Sequence, residues 1–285
     1  MPSFPIVDGH VHFYDTQRFT YPWLSTVPAI ARSHLPTHFD RICGDVRVDK
    51  IVFAEVDIED GRNIEEARFV VELAAADRRV QGIVACARLE RGAAVAEELD
   101  ALRELGKVRG IRRLIQTQLD PDFCLTPEFL TAIRLLPRYG WPFDICVSHH
   151  QLLAATELVR RCPEVNFVLD HIGKPDIRNG LREPWQRQIT ELAQMPNVVC
   201  KISGVATEAD PGRWTREQLR PYIEHCIERF GFDRVMFGGD WPVVELAGTY
   251  RDWVDIVDWI VAAAKEEEQR KLFRDTAICV YHLPP

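Results

Sequence analysis

Eight short apolar runs, each followed by a longer segment of helical pattern, constrain the fold of this chain more than any other feature. The runs contain many β-branched residues, and their apolar residues are nearly continuous rather than alternating with polar ones. They comprise residues 6–8, 50–56, 81–87, 108–116, 142–147, 166–170, 197–202 and 234–237. Such runs are typical of strands in a covered parallel sheet. Eight strand–helix units within 285 residues predict an α/β fold, a (β/α)8 TIM barrel forming a single domain over residues 1–285.

A doubly wound open sheet is the alternative architecture. Its first strand is normally followed by a glycine-rich turn, and Gly9 alone does not make one. One segment stands apart from the repeating units: residues 13–47 are rich in aromatic residues and proline. Loops of this length within a compact domain are usually functional. In a barrel this segment would lie over the C-terminal mouth, so we expect it to form a wall of the substrate site.

Charge and cysteine content restrict the class of partner. The chain has 35 Lys and Arg against 43 Asp and Glu, a net charge of −8, which disfavours nucleic acid or an anionic membrane as a partner. The longest stretch without these residues, 19–31, is too short to span a bilayer, and the N-terminus has no export-signal pattern. The eight cysteines form no CxxC pair. We expect a cytoplasmic protein that acts on a small molecule; the oligomeric state stays open.

The first run ends in a pair of histidines, Asp8-Gly9-His10-Val11-His12. Because side chains along a strand alternate between its two faces, His10 and His12 are predicted to point the same way, into the barrel at its catalytic end. Two imidazoles there could bind a divalent cation or donate hydrogen bonds to an oxyanion. By itself the motif is equally typical of two chance histidines at a strand end.

Two further runs end in residues suited to catalysis. His171 follows the sixth run in Leu169-Asp170-His171, where Asp170 is expected to point the other way and to be structural. Asp240 follows two glycines after the eighth run, in Gly238-Gly239-Asp240. Glycines let the backbone approach a ligand closely, and Asp240 is placed to act as a general base on water.

Other residues near the strand ends are candidates for substrate binding. Arg112 could polarise a carbonyl oxygen; its neighbour Arg113 has the opposite strand parity, and the sequence leaves open which of the two faces the site. Gln116 shares the parity of Arg112. Glu55 and Lys201 are each equally well explained as members of internal ion pairs near the barrel rim. Trp23 and Trp241 could stack on a sugar face, and packing in the core or in a loop is the competing interpretation. The full set of candidates is Arg112, Gln116, Trp23, His150, Trp241, Glu55 and Lys201.

Five motifs, in this order and spacing, resemble the amidohydrolase superfamily over essentially the whole chain. They are DGHVHFYD with YPWL soon after it, VRGIRRLIQ, FVLDHIGKP, VVCKISG and GGDWP. The chain is most similar to the lactonase branch, which opens sugar lactones and related small lactones. The resemblance implies a TIM barrel, catalytic roles for His10, His12 and His171, and Asp240 as general base. In members that bind zinc, the residues matching His10, His12, His171 and Asp240 hold the metal.

Two departures from the superfamily pattern bear on the metal. Strand four, residues 111–116, and the end of strand three, residues 85–87, lack the bridging Lys or Glu of a binuclear centre. The fifth-strand histidine has only loose counterparts in His149 and His150. Since the lactonase branch includes members that work without metal, the sequence predicts at most one divalent cation such as zinc, not a required one, and no organic cofactor.

The leading hypothesis is therefore hydrolysis of a small lactone. An aromatic lactone that carries carboxylates would need several arginines at the mouth, and the sequence places only one there. This favours a sugar (aldono-) lactone, such as L-fuconolactone or L-rhamnonolactone. A zinc-dependent decarboxylase of the same superfamily is the alternative. A non-catalytic barrel that binds a sugar acid is the third hypothesis.

Overall fold

The computed structural model describes residues 1–284, which form one barrel of eight parallel strands. The strands pair in sequence order, and a parallel bridge between Val11 and Trp241 joins the first strand to the segment that follows the last. The bounds are β1 Ile6–Val11, β2 Val48–Ala54, β3 Val80–Cys86, β4 Val108–Arg112, β5 Phe143–Ile145, β6 Phe167–Leu169, β7 Val198–Ile202 and β8 Val235–Phe237. The (β/α)8 barrel is confirmed, and the doubly wound sheet is wrong.

Ten α-helices accompany the strands in residues 1–284. They are α1 Pro36–Cys43, α2 Asn63–Ala76, α3 Ala96–Arg103, α4 Pro127–Ile133, α5 Leu152–Arg161, α6 Trp185–Ala193, α7 Arg216–Phe230, α8 Tyr250–Ile260, α9 Glu266–Arg270 and α10 Thr276–Val280. Several start where a threonine caps the helix: Thr126 and Thr249 accept hydrogen bonds from backbone N–H groups of the first turn of α4 and α8. Within residues 1–284 no helix combines the length and apolar character that crossing a membrane requires.

The C-terminal segment fills the barrel interior from the end opposite the mouth. Tyr281 and Leu283 are buried against inward-facing residues of the strands such as Val84 and Val168. Room for this plug comes from two glycines: a Cβ on Gly82 would lie 3.0 Å from Leu283 Cδ2, and one on Gly110 would lie 3.4 Å from Tyr281 Cε1. The barrel is therefore closed at this end by its own chain.

Residues 13–47 fold back onto the barrel instead of forming an open loop. The backbones of Tyr14 and His34 exchange two hydrogen bonds of 2.9 and 2.8 Å, and the Tyr14 hydroxyl donates to Ile30 O at 2.8 Å. Trp23 Nε1 donates to Val56 O, just beyond β2, at 2.8 Å. The segment is thereby tied to the C-terminal mouth.

Candidate active site

His10 and His12 point the same way from the end of β1, as their two-residue spacing predicts. Their Nε2 atoms lie 3.2 Å apart. His12 Nδ1 lies 2.8 Å from Ala54 O, which can only accept a hydrogen bond, so Nδ1 carries a proton and Nε2 is directed towards His10 and Asp240. Both rings are buried at the C-terminal end of the barrel.

Asp240 is held against these histidines by an unusual backbone turn after β8. Its φ is +54°, and its backbone N–H donates to His10 O at 2.8 Å. Asp240 Oδ1 lies 3.3 Å from His12 Nε2 and 3.7 Å from His10 Nε2. At the preceding position a side chain is excluded, because a Cβ on Gly239 would collide with the Tyr250 ring and the Asp8 carboxylate. The glycine pair therefore brings the carboxylate of Asp240 close to both histidines.

The expectation that Asp170 points away from the site is wrong. Val168 faces the barrel interior, so Asp170, two residues later, faces it too. Its Oδ1 lies 3.4 Å from His10 Nδ1. His171 would have pointed outward had the strand continued, but its φ of +54° turns the ring inward, where Nδ1 lies 3.0 Å from Ser203 Oγ and 3.9 Å from Asp240 Oδ2.

Arg112 faces the cavity, and its guanidinium charge is paired with two protein carboxylates. Nε donates to Glu55 Oε1 at 2.7 Å, Nη1 to Asp170 Oδ2 at 3.1 Å and Nη2 to Glu55 O. Arg113 has the opposite parity and pairs with Glu90 at 2.8 Å. Arg112 is thus the arginine that faces the site, and its charge is balanced by Glu55 and Asp170.

Lys201 lies below the cavity in the barrel core and is fully buried. Its Nζ lies 2.5 Å from Asp144 Oδ2 and 3.1 Å from Asp170 Oδ1. Tyr281 OH, from the C-terminal plug, donates to the same Asp144 oxygen at 2.8 Å. Lys201 is therefore a buried ion-pair residue, and the structure does not bring it to the substrate cavity.

Electrostatics keep Asp240 and Asp170 ionised and His10 and His171 neutral. Burial by itself raises the pKa of Asp240, but His171 and His12 hold that pKa below its usual range. Burial likewise raises the pKa of Asp170, and Lys201 and His10 outweigh it and lower the pKa well below normal. Burial lowers the pKa of His171 to about 4 and that of His10 well below its ordinary value. At neutral pH the site thus presents the Asp240 carboxylate beside the uncharged imidazoles of His10 and His171.

A cavity of about 630 Å³, open to solvent, lies above these groups. The candidates that line it are His12, Trp23, Glu55, Arg112, Gln116, His171 and Asp240. Its wall also includes Asp57, Thr117, Cys146 and Lys174, which sequence reasoning missed. The motif that contains His171 could have indicated Lys174, which lies three residues later in it. The φ of Lys174 is +47°, which continues the left-handed backbone that begins at His171. Its Nζ lies 3.9 Å from Glu208.

Besides Lys201 and the fully buried His10, two other candidates do not line this cavity. Trp241 is 1% exposed, packs against His34 and Phe39, and donates from Nε1 to Glu245 Oε1 at 2.8 Å. The turn at Asp240 sends the next side chain into this aromatic cluster. His150 is exposed in the short helical turn after β5, with its ring against His149.

Three of the four candidate metal ligands converge on one point. The atoms His10 Nε2, His12 Nε2 and Asp240 Oδ1 are separated by 3.2, 3.3 and 3.7 Å. Ligands about 2.0–2.1 Å from a tetrahedral zinc ion are about 3.4 Å from one another, so this donor set fits one divalent cation. His171 instead groups with His10 and Asp170, with its Nδ1 directed to Ser203.

Residues 7–283 match the sequence profile of the family described as Amidohydrolase. The chain belongs to the amidohydrolase family. Among its relatives is an L-fucono-1,5-lactonase of Burkholderia multivorans, 30% identical over 98% of this amidohydrolase and 96% of the relative. An L-rhamnono-gamma-lactonase of Scheffersomyces stipitis is 23% identical over 72% of this chain and 70% of its own.

A solved structure supports membership of the same family. An amidohydrolase from Burkholderia multivorans with bound zinc superimposes with a TM-score of 0.89, is 28% identical, and is matched over 99% of this amidohydrolase and 100% of that chain.

Proposed function

We propose that this amidohydrolase opens the ring of a sugar (aldono-) lactone by base-assisted attack of water. The observation that carries the proposal is the Asp240 carboxylate, which faces the cavity between His12 and His171 and whose pKa is held below normal by those neighbours. The family membership and the lactonase names of the relatives support the same reaction.

In this mechanism Asp240 accepts a proton as water attacks the lactone carbonyl carbon. The ring C–O bond then breaks, and the leaving alkoxide takes the proton from Asp240, which regenerates the carboxylate and gives a hydroxy acid. His171 and Lys174 line the same cavity and are the side chains suited to donate hydrogen bonds to the oxyanion that develops. A divalent cation, when bound by His10, His12 and Asp240, would supply Lewis-acid polarisation of the carbonyl.

The charge around the cavity favours an uncharged substrate. A lactone with two carboxylates would call for several unpaired cations, yet Arg112 forms ion pairs with Glu55 and Asp170, and Arg113 pairs with Glu90 outside the site. Lys174 remains, beside Glu208. The other polar wall residues, such as Gln116, are neutral or acidic and suit the hydroxyl groups of a sugar, and Trp23 offers an apolar face.

The test is a pH-indicator assay of the purified protein with a panel of lactones, with and without chelator. The panel contains L-fuconolactone, L-rhamnonolactone, D-configured aldonolactones and 2-pyrone-4,6-dicarboxylate, and parallel absorbance assays follow decarboxylation of dihydroxybenzoates with added zinc. We expect turnover of one or more aldonolactones. Turnover of the dicarboxylate alone would overturn the substrate class. Decarboxylation of an aromatic acid without hydrolysis of any lactone would overturn the proposal in favour of the decarboxylase alternative.

A further inference from the structure

Three carboxylates line the cavity, and two of them already have a role or a protein partner. Asp240 is the proposed general base. Glu55 uses both of its oxygens within the protein, since Oε1 accepts a hydrogen bond from Arg112 Nε at 2.7 Å and Oε2 accepts one from the backbone N–H of Asp57 at 2.8 Å. The third carboxylate belongs to Asp57 itself, which lies three residues beyond the end of β2 and lines the same cavity.

The carboxylate of Asp57 has neither a hydrogen-bond donor nor an ion-pair partner among residues 1–284. The residue is half-buried. Burial and the nearby charge of Glu55 raise the pKa of Asp57, and the more distant Arg112 and Arg113 offset this only in part. A partly desolvated carboxylate of this kind gains most from a ligand that brings hydrogen-bond donors.

The backbone around Asp57 is held in an unusual conformation. Its φ is +50°, in the left-handed region that residues other than glycine seldom occupy. On one side, Val56 O accepts a hydrogen bond from Trp23 Nε1 at 2.8 Å. On the other side, Glu59 N donates to Thr20 O at 3.0 Å. A conformation of this kind persists where surrounding contacts enforce it, so these two anchors fix Asp57 before a ligand arrives.

Trp23 adds an apolar face beside this carboxylate. It lines the same cavity, and its indole is tied to the residue that precedes Asp57. A carboxylate next to an aromatic ring matches the two kinds of surface that a sugar presents. The hydroxyl groups of the sugar donate hydrogen bonds, and its C–H groups pack on the ring.

We propose that Asp57 is the residue that selects hydroxylated, uncharged lactones. It accepts hydrogen bonds from the hydroxyl groups of the substrate, and its negative charge disfavours lactones that carry carboxylates. Asp57 is thus a specificity-determining residue and takes no part in proton transfer, which is assigned to Asp240. The inference rests on the proposed lactonase function and names the group that recognises its substrate.

The test compares Asp57→Asn with the wild type on two lactones. One is the aldonolactone that the wild type opens fastest, and the other is δ-valerolactone, which has the ring ester but no hydroxyl groups and is assayed at high enzyme concentration. Asparagine, like aspartate, tolerates the left-handed backbone, so the variant removes the charge without straining the loop.

We expect kcat/KM for the aldonolactone to fall about 10-fold or more, because a charged acceptor of hydrogen bonds is lost. The loss should appear chiefly in KM, since Asp57 binds the substrate and the transition state alike. For δ-valerolactone, kcat/KM should stay within about twofold of the wild type. Initial rates in the pH-indicator assay measure both.

A competitor tests the charge of Asp57 separately. 2-Pyrone-4,6-dicarboxylate carries two carboxylates and no hydroxyl groups, so removal of the Asp57 charge should lower its inhibition constant about threefold or more at low ionic strength. A variant that merely disturbs the cavity would weaken the binding of both ligands. Opposite shifts for the aldonolactone and the dicarboxylate therefore identify the selective role.

Asp60→Asn is the matched control. Asp60 lies in the same loop, is almost completely exposed and pairs with Arg88 at 2.7 Å, so its substitution should leave both lactones and the competitor unaffected. If the ratio of the two kcat/KM values in Asp57→Asn stays within about twofold of the wild type, the inference is overturned, and equal losses on both lactones overturn it too. Both outcomes differ from failure of the proposed function, in which the wild type opens no aldonolactone.

Discussion

At the level of single residues, the buried aspartates of this barrel have different roles set by their neighbours. Asp240 faces the cavity, and its pKa is held below normal. Asp144 neutralises Lys201, although burial raises its pKa to about 6. Asp8 accepts hydrogen bonds from Gly239 N and Tyr250 OH, and burial raises its pKa to about 7. Position relative to the cavity, not residue type, therefore distinguishes Asp240, the proposed general base, from the other two aspartates.

Asp240→Asn should lower kcat on an aldonolactone by about 10²- to 10⁴-fold, because an amide cannot accept the proton from water. Initial rates in the pH-indicator assay measure the change, and the melting temperature checks the fold. Glu245→Gln is the matched control: it makes the same substitution at a carboxylate that accepts a hydrogen bond from Trp241 outside the cavity, and should leave kcat within about twofold of wild type. An Asp240→Asn protein with more than about a tenth of wild-type activity would contradict this role.

His34 should make stability depend on pH. Burial, aided by Arg32, lowers its pKa to about 4, below the 6.5 of an ordinary histidine. The unfolded chain therefore takes up a proton between pH 6.5 and 4 that the folded chain does not, so the contribution of His34 to stability falls as pH falls. Relative to His34→Gln, the wild type should lose about 3 kcal/mol of unfolding free energy over this range.

Urea unfolding at a series of pH values measures this difference. Comparing two proteins is necessary because the raised pKa of Asp8 acts in the opposite direction. His282→Gln, at an exposed histidine, should reproduce the wild-type dependence. A constant difference between wild type and His34→Gln from pH 7 to 4 would disprove the prediction.

At the level of elements, strands β4 to β8 are shorter than the apolar runs that predict them, and residues just beyond the strand ends contribute to the site. The run 142–147 contains a strand of three residues, Phe143–Ile145, and the run 166–170 contains Phe167–Leu169. The chain leaves extended geometry immediately afterwards, and side chains from the turns face the cavity. The element that no run predicted is the C-terminal plug, which packs inside the barrel.

Tyr281→Ala should lower the free energy of unfolding by about 3–5 kcal/mol, because it empties an aromatic site in the barrel interior and leaves Asp144 without its hydroxyl donor. Chemical denaturation measures the loss. Tyr139→Ala removes the same side chain from a half-buried position stacked on Trp141 and should cost clearly less. Equal losses of unfolding free energy in the two variants would show that Tyr281 stabilises the barrel no more than a half-buried tyrosine does.

At the level of the whole molecule, the net charge of −8 should affect charged ligands and not neutral ones. Raising ionic strength from about 0.01 M to about 0.15 M should change kcat/KM for an uncharged aldonolactone by less than about twofold. Inhibition by the anionic aldonate product should strengthen over the same range, because salt screens its repulsion. Steady-state kinetics measure both, and a steep salt dependence with the neutral lactone would contradict the argument.

Much of the site was predictable from sequence because extended strands impose strict alternation. The spacing of His10 and His12 gives their common face, and parity separates Arg112 from Arg113. Beyond Leu169 the rule still holds for Asp170, which continues the alternation from Val168 and faces inward, but not for His171, which reaches the cavity through a left-handed backbone. Trp241 follows a similar left-handed turn at Asp240 and ends in the aromatic core, where sequence reasoning had allowed a platform for sugar.

The sequence by itself determined the barrel, its family and the acid-and-histidine set, since these depend on periodicity and on motifs local in the chain. Only the tertiary structure decided which charges remain available to a ligand. Arg112 pairs with Glu55 and Asp170, and Lys201 pairs with Asp144 and Asp170. These carboxylates lie on other strands or directly after them. Whether a buried cation binds substrate or is neutralised within the core depends on such contacts between distant residues, which local patterns do not encode.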